Sequence, residues 1–239
     1  MTPEIETHSA DDFLLEIETL RGEDPTAALE KLKAAAPEVT RRPEAKLLAA
    51  DLTWEISGSE AALPLVEALV RDVPDYADAR YLLGSLYDEL GKERQMVEEF
   101  LEVLRLDEGL DSGLNAEEAR ELEDLIVTAA EETVAGLPHA FRQRLEGVPI
   151  LVAPRPDEEL VREGFDPRAL GLFEGPTDMD HQNNEASALP TRIVLFSANL
   201  LAESVDEEQL KNEVSTTVLH ELGHYFGLEE HDMERLGLD

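Results

Sequence analysis

Val218-Leu219-His220-Glu221-Leu222-Gly223-His224-Tyr225-Phe226-Gly227 closes a segment of helical pattern that runs from Glu207 to Phe226. The stretch reads HExxHxxG. Positions four apart share one face of a helix, so the imidazoles of His220 and His224 can converge on one metal ion. Glu221, one step round, can reach a water on that metal and accept its proton. Two imidazoles and an adjacent carboxylate are what zinc-assisted hydrolysis requires: ligands for a Lewis acid and a base for its water. The flanks agree. Thr216 to Leu219 (TTVL) gives the helix an apolar face, and Asp206 with Gln209 three residues on suits an N-terminal capping box. Gly227 tolerates positive φ, so the helix can turn sharply there.

Zinc that keeps one open position needs a third protein ligand. Fifteen residues follow His224, too few for a glutamate on a later helix, so the ligand is expected just after Gly227 or upstream. In the metzincin-like pattern HExxHxxGxxH/D the third ligand lies three residues after the glycine, which is Glu230 here. Glutamate departs from the usual His or Asp, and His231 and Asp232 are the neighbouring alternatives. His181, in the loop from Asp178, is a candidate from upstream. Met233 reads as core.

Composition bounds the partners. The 239 residues carry 55 acidic and 20 basic side chains, a formal net charge of −35. Such a surface repels phosphate, which argues against nucleic acid and anionic membranes. Apolar residues make up 42% of the chain, ordinary for a folded globular protein, so the charge does not imply disorder. Cysteine is absent, leaving His and carboxylate to hold any zinc. The first residues, MTPEIETHSADDF, lack a basic region followed by an apolar run, and no window approaches 18 apolar residues. A cytoplasmic setting is expected.

Upstream of the motif the elements are mixed. Ala116 to Gly136 reads as a helix and Pro138 to Leu145 as a shorter one. Val148 to Ala153 (VPILVA), Leu170 to Gly175 (LGLFEG) and Thr191 to Ser197 (TRIVLFS) read as strands. Arg155 to Arg168 reads as loop and short helix, and Pro176 to Ala188 as irregular loop. From Ala116 onward the chain resembles the minimal zincin-like metallopeptidase family of bacteria. The resemblance is carried by Leu137-Pro138, the Val148 strand followed by Arg155-Pro156, LGLFEG, Thr191 to Phe196 (TRIVLF), Val218 to Gly227 and the closing Arg235-Leu236-Gly237. It implies a compact zincin, a short sheet backed by the helix that carries the motif, without the usual C-terminal subdomain. It supplies no substrate.

The first half has a different grammar. From Asp11 to Asp107 apolar residues recur at helical spacing between short turns, with Leu63 to Val70, Ala79 to Leu90 and Val97 to Leu106 the clearest helices. The pattern repeats at 34 residues: Ala50 aligns with Gly84, Ala62 with Met96, Val66 with Phe100 and Leu69 with Val103. Ala77 to Asp107 resembles a tetratricopeptide repeat, with Leu83-Gly84 at the small contact, Tyr87 three on and Gly91 at the turn. Pro43 to Tyr76 matches less fully, and Phe13 to Ala36 reads as a third, degenerate copy. A helix pair cannot bury its apolar face alone, so such repeats stack. The family implies a groove that takes a peptide or protein.

The fold class expected is therefore α+β, with helical repeats over residues 1–112 and a minimal zincin-like domain over residues 113–239. The leading functional expectation is a zinc metallopeptidase. His220, His224 and Glu230 would hold Zn2+, and Glu221 would act as general base. Tyr225 and His231 are the candidates to stabilise the oxyanion, and peptide would add as a strand near Thr191 to Ser197. Activity should fall in acid, since the ligating histidines must be neutral. The alternative is a non-catalytic repeat adaptor whose zinc site is vestigial, or structural and closed by His220, His224, Glu230 and His231.

Overall fold

Ser9, Asp24, Pro37 and Pro43 mark four successive helix starts in the computed structural model, which describes residues 9–111, 116–145, 147–177, 191–228 and 231. Ser9 and Asp12 cap each other reciprocally at α1 (Ala10–Arg21), and the Asp24 carboxylate caps α2 (Pro25–Lys33). Proline opens α2, α3 (Pro37–Thr40) and α4 (Pro43–Ser57), where its missing N–H would have had no helical partner anyway. After these come α5 (Ser59–Asp72), α6 (Ala77–Glu89) and α7 (Glu93–Leu110). The chain clusters into two compact units, Met1–Asp107 with Arg162–Gly164, and Glu108–Val161 with Phe165–Asp239.

In the first unit the helix starts repeat. Pro43 and Ala77 open α4 and α6, and Ser59 and Glu93 open α5 and α7, so both helices recur after 34 residues. The paired positions read from sequence, Ala50 with Gly84, Ala62 with Met96, Val66 with Phe100 and Leu69 with Val103, are all buried. Gly84 marks a close helix approach: a Cβ there would overlap the Phe100 ring, which Tyr81 stacks against at 5.7 Å. Ile17, Leu32 and Leu52 anchor one apolar cluster, and Val66, Leu69 and Leu86 the next. Each such side chain contributes about 1.5–3 kcal/mol on burial. Tyr87 ties α6 to α5 by donating its hydroxyl to Glu67 at 3.0 Å.

After α7 the elements are α8 (Ala116–Gly136), α9 (His139–Arg144), β1 (Ile150–Ala153), α10 (Glu158–Arg162), β2 (Gly171–Glu174), β3 (Arg192–Phe196), α11 (Ser197–Ala202) and α12 (Glu207–Tyr225). The α+β expectation holds. The three strands form one sheet of order β1-β3-β2. β1 runs parallel to β3, Ile150 opposite Ile193 and Ala153 opposite Phe196. β2 runs antiparallel to it, Gly171 opposite Leu195 and Glu174 opposite Arg192, the latter two also ion-paired.

This order corrects one expectation. The Thr191 to Ser197 strand is central, with both hydrogen-bonding edges taken, so a peptide cannot add to it. Ile193 and Leu195 on one face of this strand are buried, while Val194 on the other face is half-buried. Among the described residues β2 pairs with β3 alone, which makes β2 the edge beside the cavity described below. Ile193 and Leu195 pack with Ile126 and Ala130 of α8 and with Val214, Val218 and Leu222 of α12 in one buried cluster. None of the described helices is long and apolar enough to cross a membrane.

Candidate metal centre

α12 is written to show two faces. Asp206 caps it, accepting from the Gln209 amide at 2.9 Å. The Gln209 side chain bonds back to the Val205 amide at 3.1 Å, one residue earlier than a regular capping box. At 3.6 residues per turn, Leu210, Val214, Val218, Leu222 and Tyr225 form a buried stripe against the core. Glu213, Thr216, Thr217, His220 and His224 fall on the neighbouring face, where they line a cavity of about 580 Å³. Glu221 lies between the two faces, also lines the cavity, and is only 7% exposed.

The two histidines converge. Their Nε2 atoms stand 3.2 Å apart, with ring centroids 4.9 Å apart and planes at 78°. Two nitrogens bound tetrahedrally to one zinc at 2.0–2.1 Å would stand about 3.3 Å apart. The spacing thus fits zinc, and imidazole is a donor that zinc favours. Opposite the helix lies β2. Gly171 faces it so closely that a Cβ there would come within 2.6 Å of Thr217 Cγ2 and 3.1 Å of Glu221 Oε1. Only a residue without a side chain lets the strand approach this carboxylate.

Gly227 ends the helix. Its φ is +80°, its amide donates to the His224 carbonyl at 2.9 Å, and the Leu228 amide donates to the Gly223 carbonyl at 2.9 Å. This is the full Schellman pair of bonds, and it turns the chain away within one turn of His224. The eighth position of the motif is thus explained by backbone geometry.

A helix that presents two convergent imidazoles and a buried glutamate lies across a short mixed sheet in which β2 is an edge. Residues 145–238 match the zincin-like metallopeptidase family. No curated protein matches the chain. The matched zincin-like segment contains β1, β2, β3 and α12 and lies outside the helical repeats.

Within the zincin-like segment the structure brings His220, Glu221 and His224 together. Glu230, Asp232, His181 and Met233 lie outside the described residues. His231 is exposed, and among the described residues no three His, Cys, Asp or Glu side chains gather as a metal group. Tyr225 is corrected: it is 3% exposed in the core, donates its hydroxyl to the Arg144 carbonyl at 2.8 Å and packs against Phe173 and Phe226. Its place on the buried stripe turns it from the cavity, so it is no oxyanion donor.

Sequence reasoning missed residues that act from a distance. Buried Asn199, on α11, donates to the carbonyls of Pro167 at 3.0 Å and Ala169 at 2.7 Å, and accepts from Arg155. Arg155 in turn holds Asp111 with two bonds, of 2.5 and 2.8 Å. This network fixes the loop that feeds Leu170 and Gly171 into the cavity wall. Its only local sign was an arginine straight after one strand and an asparagine just after another.

Proposed function

We propose that the chain is a zinc-dependent peptidase in which His220, His224 and Glu230 hold the metal and Glu221 is the general base. The observation that carries this reading is the 3.2 Å approach of the two imidazole nitrogens beside a buried glutamate, and the family match agrees with it. Zinc, when bound, acts as a Lewis acid on the scissile carbonyl and lowers the pKa of water toward about 7. Glu221 takes a proton from the attacking water and delivers it to the leaving amine. The apolar cavity wall keeps bulk solvent from that carboxylate, and the Gly171 approach restricts where it can swing. An extended peptide is taken along β2, whose outer backbone groups suit strand addition. The helical repeats of residues 1–112 are proposed to recruit the protein to be cut.

The test is metal analysis with turnover of a mixed peptide library by the full chain and its Glu221→Gln variant. The variant is expected to keep its zinc and lose about 10²–10⁴-fold in rate. Full hydrolysis by Glu221→Gln at equal zinc content would sink the reading. For recruitment, a protein cross-linked to the Glu221→Gln chain should carry its cross-links on α4 to α7 and be cut by the unaltered chain. Cross-links confined to residues 113–239 would contradict it.

A further inference from the structure

Glu213 lines the same cavity as the histidines. It stands seven residues before His220, on the same helix face, which places its backbone about 10 Å along the axis from His220. Among the described residues its carboxylate takes part in no hydrogen bond or ion pair; its backbone carbonyl accepts from Thr217. Glu207, on the same helix, is instead paired with Lys211. Thr216 and Thr217 lie between Glu213 and His220 on the helix, and half-buried Phe165, Leu170, Leu172 and Phe173 give the same cavity an apolar lining.

We infer that this cavity takes a lysine or arginine side chain of the substrate, next to the scissile bond, with Glu213 as its counter-ion. The inference rests on the peptidase reading and adds a substrate class to it. A basic side chain reaches about 6–7 Å from its Cα, and a charge-assisted hydrogen bond adds about 2.8 Å. Together these come to about 9–10 Å, comparable with the axial separation of Glu213 and His220. The aliphatic stem of such a side chain lies favourably along an apolar wall while its charged end meets the acid. A free α-amino group stands too near the carbonyl to make that reach. The net charge of −35 also draws cationic peptides toward the protein at long range.

The test uses the zinc-loaded full chain and fluorogenic peptides that differ at one residue flanking the scissile bond: lysine, norleucine or glutamate. Norleucine keeps the stem and removes the charge. On one side of the bond, kcat/KM for lysine should exceed that for norleucine about 10- to 100-fold. Glu213→Gln should bring the two within about twofold, and Glu213→Lys should favour glutamate. Equal rates for lysine and norleucine, or a preference that survives Glu213→Gln, would overturn the subsite. If no peptide is cut, the peptidase reading fails, and binding then decides the subsite separately. Fluorescence anisotropy should show the Glu221→Gln chain binding the lysine peptide at least about tenfold more tightly than the norleucine peptide. Adding Glu213→Gln should abolish that difference; equal binding without it would overturn the inference.

Discussion

Gly171 and Glu221 meet where β2 crosses α12: a Cβ on the glycine would stand 3.1 Å from both Cγ and Oε1 of the glutamate. Gly171→Ala should therefore push the carboxylate or the strand by a few tenths of an ångström. Overpacking of this kind costs about 1–3 kcal/mol, and small misplacements of a catalytic group cost up to about 100-fold in rate. The expected result is a large loss of kcat with zinc content kept. Thr217→Ser in the same chain removes the Cγ2 that lies nearer still, at 2.6 Å, and should restore part of the loss. A Gly171→Ala enzyme of unaltered kcat would show that the contact does not position Glu221.

Gly227 governs where the chain goes after His224. Alanine at its φ of +80° costs about 1–2 kcal/mol, and asparagine less. Gly227→Ala should lower zinc retention in a chelator competition about tenfold or more, whereas Gly227→Asn should stay close to the unaltered protein. Equal retention by the alanine and asparagine variants would mean that the turn does not control metal binding.

Removing Asn199 should loosen the cavity wall from behind. Asn199→Ala deprives the Pro167 and Ala169 carbonyls of their donor and Arg155 of an acceptor, a loss of about 2–4 kcal/mol in unfolding free energy. Amides 168–171 should exchange faster, and KM should rise more than kcat falls. Asn199→Asp should fail to rescue, because its carboxylate would face two carbonyl oxygens. An unchanged urea midpoint for Asn199→Ala would remove the network from the account.

The helical repeats carry their own pH limit. Burial pushes the Tyr87 phenol up to about 12, helped by its hydrogen bond to Glu67. Burial also raises Tyr76 to about 12, with Asp78 and Glu44 adding to the effect. Unfolded tyrosine titrates near 10, so the folded state favours the neutral phenols. Their contribution is complete below about pH 10 and is lost as pH rises toward about 12. Melting temperature should fall across that window and fall less in Tyr76→Phe and Tyr87→Phe. Identical profiles for all three proteins would refute the assignment.

Local patterns were legible in this chain and convergent ones were not. The i, i+4 histidines, the turn at Gly227 and the cap at Asp206 each depend on neighbours within a few residues, and all three are found. The strand spans come out a residue or two shorter than read, as at Ile150–Ala153, because the Val148 amide turns back to the Leu145 carbonyl, and Pro149, though its carbonyl accepts from Ile193, has no N–H to give the ladder. Which strand lies in the middle depends on partners far away in sequence, so β3 was mistaken for an open edge. Tyr225 was misread because its type suited catalysis, while its place on the buried stripe of α12 did not. Gly171, Asn199 and Glu213 acquire meaning only once β2, α11 and α12 are brought together.

The central place of β3 also dictates a timetable. Every strand pair in the sheet includes β3, with Ile150 waiting for Ile193 and Gly171 for Leu195. Contacts between residues so far apart in sequence form slowly. On the ribosome, β1 and β2 leave the exit tunnel before the strand that joins them, and their apolar faces have no sheet to enter until it follows. Nascent chains that have emerged only as far as β2 should therefore depend on chaperones, and those in which α12 has also emerged should not.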